Sequence, residues 1–525
     1  PAALVTIGSI QLAAEKSWHP EQDSVLCIAN HVPGVVHAMT RGKLRPSTFA
    51  VVLVALTGVV LGGMLVPYVK VAATTTRTST SAGTTAAGVG SQATGTDGGA
   101  TAQGGGSGTA SAAGGTTSGG STSSAAGGIA AGGATAGADG PGVTANQVKV
   151  GIGILDIGAA KNFGYAFDLG DQQARFDAMI TAQNAKGGIN GRQIVPSYHV
   201  VDALKEESRQ AACIAWTQDE HVFSVLVSSQ WSEAATVCVI GQGGTPMFTA
   251  DGVDRSYYGN GLLFTTQPSD NRILADQAAY LIQGGQLAGK RIGVLSGDGA
   301  ERLAVDDTLV PALGAAGYAV SDIEVVPADI SGTQKMPIAI SNFKAAGIDF
   351  VIIAANVILA GPFVQSADRA GFHPAYALSD FNNQINDQVA SYYPDAFEGT
   401  IGLSNHDFSE YRAGNPPPAA DQACLDRVLP ADPKVLPSTN SAFEVAMEEC
   451  GMFDAWVAGA LNAGATLNAA TLVTGMESTG TRSIAGVFDG SFAPGKHDAV
   501  DNVRPVAWHK SCTCWEIAGP IRGMQ

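Results

Sequence analysis

The segment Asn184-Ala-Lys-Gly-Gly-Ile-Asn-Gly-Arg192 lies between two stretches of different hydrophobic period. Before it, residues 170–186 place apolar side chains at helical spacing. After it, residues 192–201 are rich in β-branched and aromatic side chains, which is typical of a strand. Another strand is predicted at 148–155, ahead of the helix. Because paired glycines end a helix and allow a tight turn, this part of the chain is predicted to be a β-α-β unit.

The alternation of strands and helices continues toward the C-terminus. Further strands are predicted at 222–227, 246–249, 291–296, 319–327, 350–354 and 375–379. Helices are predicted between them at 205–218, 232–242, 300–316, 334–346 and 361–370. Such alternation predicts parallel strands with helices on both faces, which is the α/β class.

The overall composition is rich in glycine and poor in charge. The 525 residues include 66 glycines, and charged residues make up 14%, against roughly 25% in an ordinary soluble domain. The balance of 29 basic and 46 acidic residues gives a net charge of −17, which argues against a nucleic-acid partner.

The glycine excess is concentrated in one segment. Residues 78–138 consist mainly of Gly, Ser, Thr and Ala, with Asp97 as the one charge. Such a composition buries too little apolar surface to fold, so residues 74–140 are predicted to be a disordered linker. A passive tether and an O-glycosylated stalk both agree with it.

An uncharged run precedes the linker. Residues 49–69 are long enough to span a bilayer and follow a basic cluster at 41–45. A membrane helix is predicted at about 47–69, within a targeting segment of residues 39–73, and the following chain is expected outside the cytoplasm. Both an uncleaved signal-anchor and a cleaved signal peptide remain open. Residues 1–38 are expected to be an upstream extension without a fold of its own.

Four segments carry a family resemblance through their order and spacing. They are Asn184–Arg192, Phe350–Phe372, Glu398–Leu403 and Phe453–Gly464, within residues 146–515. Together they resemble the leucine/isoleucine/valine-binding family, the type I periplasmic solute-binding proteins of ABC importers.

The resemblance implies two Rossmann-like lobes with parallel sheets, joined by a three-crossover hinge. The crossovers are placed near 265–270, 399–404 and 485–495. The first lobe is predicted to comprise residues 146–266 and 402–488, and the second 267–401 and 489–525. Ligands of open α/β sheets lie at the carboxyl ends of the strands, so the ligand is expected between the lobes.

In the first lobe, ligand-binding candidates follow three strands. Phe163 matches a position where relatives offer an aromatic side chain. The remaining candidates are Ser228, Ser229, Gln230, Trp231, Thr249 and Ala250. Hydroxyls and backbone N–H groups just before a helix suit a carboxylate or another anion. The structural alternative is that one of the two serines only caps helix 232–242.

In the second lobe, the candidates are Asp298, Asn356, Asp380 and Phe381. Amino-acid-binding relatives place a carboxylate near Asp380 to hold an α-ammonium group; an N-cap or turn aspartate is the alternative. The sequence departs from the family at 296–300, which lacks a tyrosine, and at Asn356-Val357, which replaces an aromatic. A branched-chain amino acid is therefore not favoured, while another amino acid, an amide, a peptide or an aromatic acid stays open.

Six cysteines lie in the part expected to be exported. Cys213 and Cys238 fall in helices that flank one strand, in a region that relatives often bridge, and a disulfide is expected. A second bond is expected between Cys424, in a proline-rich insertion, and Cys450, at the start of a late helix. For Cys512 and Cys514, a local disulfide stays open, and their pattern does not favour zinc.

The sequence thus predicts a solute-binding protein that delivers a small polar ligand to ABC permease subunits. A sensor or receptor ectodomain on the same fold is the first alternative, and an enzyme is the second, since no catalytic motif is found. No cofactor and no nucleic acid are expected. The protein is expected outside the cytoplasm, anchored to the membrane by its N-terminal helix or secreted.

Overall fold

The computed structural model describes residues 4–7, 10–13, 138–163, 167–229, 231–438 and 440–525. It divides the chain into two compact units, Pro1–Ser118 and Gly119–Gln525. In the first unit, β1 (Leu4–Ile7) and β2 (Ile10–Ala13) form an antiparallel hairpin. The predicted membrane helix at 47–69 lies outside the described residues.

Within the described ranges, no helix combines the length and the apolar character that crossing a bilayer requires.

The second unit is built on two sheets. The first is parallel throughout, with the order β4-β3-β5-β6-β7. Its strands are β3 (Gln147–Asp156), β4 (Gln193–Asp202), β5 (Ser224–Val227), β6 (Met247–Thr249) and β7 (Leu263–Thr265). The strand predicted at 148–155 is β3, which pairs with β4 on one side and with β5 on the other.

The second sheet is mixed, with the order β16-β15-β12-β11-β10-β8-β9 and β17 beside β15. Strands β8 to β12 are parallel neighbours, whereas β15 runs antiparallel to β12 and β16. The remaining strands are β8 (Ile292–Gly297), β9 (Val320–Val326), β10 (Phe350–Ala354), β11 (Ala375–Ser379), β12 (Ile401–Ser404), the hairpin β13 (Gly480–Ile484) and β14 (Val487–Phe492), β15 (Asn502–His509), β16 (Cys514–Ile517) and β17 (Arg522–Gly523).

Helices cover the faces of both sheets. They are α1 (Gln172–Ala185), α2 (Glu206–Ile214), α3 (Glu233–Thr236), α4 (Asp270–Gln283), α5 (Ala300–Ala304), α6 (Val310–Ala315), α7 (Met336–Ala346), α8 (Val357–Arg369), α9 (Asp387–Ala390), α10 (Phe408–Arg412), α11 (Ala419–Val428), α12 (Ser441–Asn462) and α13 (Ala469–Glu477). π-Helical segments extend α2 and α3 and join α5 to α6. Apolar clusters on both faces of each sheet complete the α/β two-lobe fold.

Some boundaries differ from those predicted. Helix α8 begins four residues before the predicted 361, because the Asn356 side chain accepts the N–H of Ile358 and caps it. Helix α12 begins at Ser441, so Cys450 lies inside it and not at its start. Helix α4 lies in a stretch for which no helix was predicted.

Three disulfides stabilise the second unit. Cys213–Cys238 joins α2 to the extension of α3, and Cys424–Cys450 joins α11 to α12. Cys512–Cys514 closes a turn between β15 and β16, where Thr513 has a φ of 50°. The turn, and not an extended strand, brings their Cα atoms to 5.1 Å.

The Asn184–Arg192 segment ties the first β-α-β unit to the long helix α12. Asn184 and Ile194 exchange side-chain-to-backbone hydrogen bonds across the turn. The amide nitrogen of Asn190 donates to three carbonyls at the end of α12 and just beyond it, those of Ala460, Leu461 and Gly464. The turn therefore satisfies carbonyls that a helix end leaves without a backbone partner.

One buried carboxylate links two of the three chain crossings between the lobes. Asp380, after β11, accepts hydrogen bonds from Ser404 Oγ, Asn405 N and His406 Nδ1 at 2.8, 2.7 and 3.0 Å. The other ring nitrogen of His406 lies 2.6 Å from the amide nitrogen of Gln267. The geometry is that of an imidazole that donates to Asp380 and accepts from Gln267.

The third crossing joins the same region. The N–H of Thr265 donates to the His497 carbonyl, and the Ala499 N–H donates to the Thr265 carbonyl, both at 2.9 Å. Asp498 accepts the Ser269 N–H at 2.8 Å. The crossings thus form one connected hydrogen-bonded region between the two sheets.

The Asn184–Arg192 turn provides a matched pair of glycine substitutions. A Cβ on Gly188, where φ is +64°, would lie 1.9 Å from the Arg192 carbonyl oxygen. A Cβ on Gly191, where φ is +88°, would meet nothing within 4 Å. We expect Gly188→Ala to lower the free energy of unfolding by about 3–4 kcal/mol and Gly191→Ala by about 1–2 kcal/mol, measured by urea denaturation. Equal losses would contradict the proposed backbone clash.

The Asp380 hydrogen bonds are expected to matter for stability. Asp380→Ala leaves several buried donors unsatisfied, so we expect a loss of about 3 kcal/mol in the free energy of unfolding. The control Asp298→Ala removes one exposed turn contact, to the Ala328 N–H, and should cost less than about 1 kcal/mol. An Asp380 variant as stable as the control would rule out a structural role for this carboxylate.

Candidate functional site

A cleft lies between the lobes, at the carboxyl ends of the parallel strands of both sheets. It encloses about 800 Å³, part of which is open to solvent. Its lining residues come from loops after β3, β4 and β5 in one lobe, after β9, β10 and β11 in the other, and from α12. They are Leu155, Ile157, Phe167, Leu169, Ala203, Leu204, Ser229, Ile330, Val357, Ile358, Asn383, Asn386, Val389, Glu444, Val445 and Glu448.

Most of the lining side chains are apolar, and the few polar ones are carboxylates, amides and a hydroxyl. Ser229, Asn383 and Asn386 supply the neutral polar groups, while Glu444 and Glu448 are the two ionisable residues. An apolar pocket with a few convergent polar groups is typical of a small-molecule site.

The serines predicted to bind a ligand lie beside the cleft. Ser229 lines it directly and is buried. Ser228 is buried next to it, and its hydroxyl has no hydrogen-bond partner among the described residues. Neither serine caps α3, because Ser232 takes that role by accepting the Ala235 N–H.

Trp231, Thr249 and Ala250 lie behind this rim of the cleft. The Trp231 ring packs against Trp216, with ring centroids 5.9 Å apart. Thr249 ends β6 and accepts the Asp251 N–H, while the Ala250 N–H donates to the Ser228 carbonyl. These contacts hold the loops after β5 and β6 together. Gln230 and the side chain of Phe163 lie outside the described part of the structure.

The candidates of the second lobe are dispersed. Asp298 is exposed at a turn, and Asn356 donates to Glu301 and to the Ala328 carbonyl besides capping α8. Asp380 belongs to the crossing region, and Phe381 is fully buried in the apolar core. The structure does not bring these four side chains together in the cleft lining.

The sequence analysis missed the residues that α12 and the β11 loop contribute. Glu444 and Glu448 lie four residues apart, which places them on one face of α12. The spacing of these two glutamates is visible in the sequence. The predicted helix starts only at Cys450, however, so the prediction does not place them on one helical face. Asn383 donates through its amide nitrogen to Asp251 Oδ1 at 3.2 Å, across the lobes.

Burial raises the pKa of several carboxyl groups, among them Glu448 and Glu301. Burial raises the pKa of Glu448 well above its ordinary value, and the nearby acids Asp251, Glu444, Glu449 and Asp380 raise it further. Burial also raises the pKa of Glu301 to about 8, although hydrogen bonds from Asn356 oppose this shift. Both groups therefore favour their protonated forms more than an exposed glutamate does.

The lobes touch directly at the rim of the cleft. Glu233 Oε1, in α3, accepts the Ala300 N–H at the start of α5 at 2.6 Å. Its other oxygen accepts the Tyr257 hydroxyl at 2.9 Å. Arg255 and Asp307 form an exposed ion pair at 3.2 Å. These contacts join the two lobes directly.

Within the described ranges, one group of histidine, cysteine or acidic side chains meets the distance requirement of a metal site, that of Cys512, Cys514 and Glu516. Its two sulfur atoms form a disulfide, which removes the thiolates that a metal ion would need.

This architecture is similar to that of known proteins. The family model described as periplasmic binding protein matches residues 164–512. No curated protein matches the chain significantly.

Solved structures with the same fold have low sequence identity. A solute-binding protein of an ABC transporter from Rhodopseudomonas palustris, in complex with 3,4-dihydroxybenzoic acid, is 13% identical, covers 72% of this chain and 98% of its own, and has a TM-score of 0.56. A fatty acid ABC transporter substrate-binding protein from Thermomonospora curvata is 16% identical, with coverages of 73% and 94% and a TM-score of 0.55. The leucine-binding protein LivK from Thermotoga maritima is 13% identical, with coverages of 72% and 99% and a TM-score of 0.54.

These likenesses agree with the two-lobe fold, with its cleft at the carboxyl ends of the strands. The family match spans most of both lobes. The chain belongs to the periplasmic binding protein family, in its type I branch.

Proposed function

We propose that this protein captures a small organic solute between its two lobes and delivers it to an ABC permease outside the cytoplasm. The cleft carries this proposal, because loops from both lobes and the long helix α12 meet around one largely apolar space. A ligand held there is surrounded by both lobes and leaves when they separate about the crossings. Binding and release of this kind need no covalent step.

The relatives support transport and leave the solute open. Their names describe a leucine-binding protein, a fatty acid substrate-binding protein and a complex with 3,4-dihydroxybenzoic acid. One fold thus serves solutes with different polar groups, so the ligand has to be inferred from the lining of this cleft. The amino acids, amides and small acids expected from the sequence define the first panel to be screened.

Location outside the cytoplasm follows from the family and agrees with the three disulfides. We further propose that residues 47–69 hold the protein at the membrane. The glycine-rich segment 74–140 would then separate this membrane anchor from the two lobes. This arrangement would keep the binding protein close to its permease.

Ligand binding in the cleft is expected to stabilise the folded protein. A ligand present at 100 times its Kd adds about 2.7 kcal/mol to the free energy of unfolding, which thermal denaturation detects. Ser229→Trp should fill the cleft and abolish the stabilisation, and its thermal denaturation without ligand shows whether the variant is folded. The matched control Ile338→Trp changes a side chain on α7 that is 58% exposed and does not line the cleft, so it should leave the stabilisation intact.

Two results would contradict this assignment. One is a ligand that stabilises the Ser229→Trp variant as much as the wild type, because the ligand would then bind elsewhere. The other is turnover of a screened compound by the purified protein, which would favour an enzyme.

A further inference from the structure

Two backbone N–H groups near the predicted anion position are already used by the protein. The sequence predicts an anion-binding position in the loop after β5, on N–H groups that precede α3. In the structure, the Trp231 N–H donates to Asp251 Oδ2 at 3.3 Å, and the Ala235 N–H donates to Ser232. A carboxylate of the chain itself occupies this position, and its negative charge opposes a second anion there.

The amide of Asn383 instead presents an acceptor. A carboxylate only accepts hydrogen bonds, so the Asn383 atom that faces Asp251 must be its nitrogen. This contact fixes the orientation of the amide. Its oxygen is buried, accepts no hydrogen bond from any described residue and belongs to a side chain that is 6% exposed and lines the cleft. Such a buried acceptor is costly unless a donor reaches it.

Glu448 is a second acceptor in the same cleft. Its side chain lines the cleft and is 8% exposed, and it forms no ion pair with any described residue. No lysine, arginine or histidine is among the described residues of the lining. The cleft therefore combines apolar walls with buried acceptors and lacks a built-in positive charge there.

The charged groups around Glu448 add to the negative charge of this part of the cleft. On its own helix, Glu444 and Glu449 are acidic, and Arg175 forms a buried ion pair with Glu449. From the loop after β6 comes Asp251, and from the loop after β11 comes Asp380, which is hydrogen-bonded to His406. Arg412 lies near Glu444 of the lining. The basic groups in this surrounding shell thus face carboxylates other than Glu448.

We propose that the ligand is an organic cation, such as a protonated amine with an apolar body, whose N–H groups donate to the Glu448 carboxylate and to Asn383 Oδ1. The apolar body packs against side chains such as Leu155, Phe167 and Val357. This inference rests on the proposed function and specifies the ligand class of the same cleft.

A titration accompanies this mode of binding. Burial favours the neutral form of Glu448 in the empty cleft, and a bound cation favours its ionised form. Cation binding should therefore release a proton from Glu448, and affinity should rise with pH up to the pKa of the empty site. A single linked proton changes Kd by up to about tenfold per pH unit.

Matched ligand sets test the charge preference. Benzylamine, benzamide and benzoate share one ring, and isopentylamine, isovaleramide and isovalerate share one branched chain. Thermal denaturation and calorimetry on the wild-type protein should show binding by the amines and at least tenfold weaker binding by the carboxylates. Carboxylate or amide binding as tight as amine binding would overturn the cation proposal while leaving solute capture intact.

Failure of the proposed function gives a different pattern. If no member of these sets and no amino acid, amide or small acid stabilises the protein, both proposals fail. Proton release is read from calorimetry of the wild-type protein in two buffers of different ionisation enthalpy. Amine binding without proton release between pH 5 and pH 8 would overturn the role of Glu448.

A charge-removing variant locates the contact. Glu448→Gln keeps the shape of the side chain and should weaken amine binding by about 10–100-fold and abolish its pH dependence. The control Glu516→Gln removes an exposed carboxylate on β16 and should change neither. Unchanged amine affinity in Glu448→Gln would overturn the assignment, and the wild-type proton-release measurement decides the matter should this variant fail to fold.

Discussion

The arrangement of the two lobes depends on the hydrogen bonds that the buried carboxylate of Asp380 accepts. This carboxylate accepts hydrogen bonds from the chain segment that follows β12. One of these donors, His406, is also hydrogen-bonded to Gln267 beside the first crossing. A neighbouring hydrogen bond, from the Ser269 N–H to Asp498, connects the third crossing to the first. Because the carboxylate is buried and multiply bonded, it helps to fix where the first two crossings lie without contributing to the cleft lining. Lobe closure can then position loops reproducibly around a ligand.

Helix α12 connects the fold to the site. Its end is held by Asn190 of the Asn184–Arg192 turn, and Glu449 in its middle pairs with Arg175 of α1, whose guanidinium also meets Asp432 at 2.6 Å. Replacing one member would leave another charge buried and unpaired, which is costly. These two attachments set the rotation of α12. The same rotation directs Glu444, Val445 and Glu448 toward the cleft.

Local patterns predicted the fold better than the site. Hydrophobic period and paired glycines identified β3, α1 and β4 nearly to the residue, because these elements depend on neighbouring chain. Helix α12 was placed too late, and α4 was missed, since their burial depends on distant partners. Among the ligand-binding candidates, Ser229 lies in the cleft lining, whereas Asp380 and Phe381 lie in the crossing region and core. A position after a strand defines a neighbourhood, but hydrogen bonds formed on folding decide which side chain faces the ligand.

The loop after β5 shows why a family resemblance alone does not specify a ligand. Its backbone geometry suits an anion, as the sequence indicated, yet the anion that meets Trp231 is Asp251 of the same chain. Asp251 also orients Asn383, so one acidic side chain both occupies the anion position and turns an acceptor toward the cleft. Charge selectivity in such a cleft thus arises from the partner that the protein supplies itself. A single neutral residue at position 251 would release the Trp231 N–H and remove the constraint on Asn383, which would shift the balance toward anionic solutes.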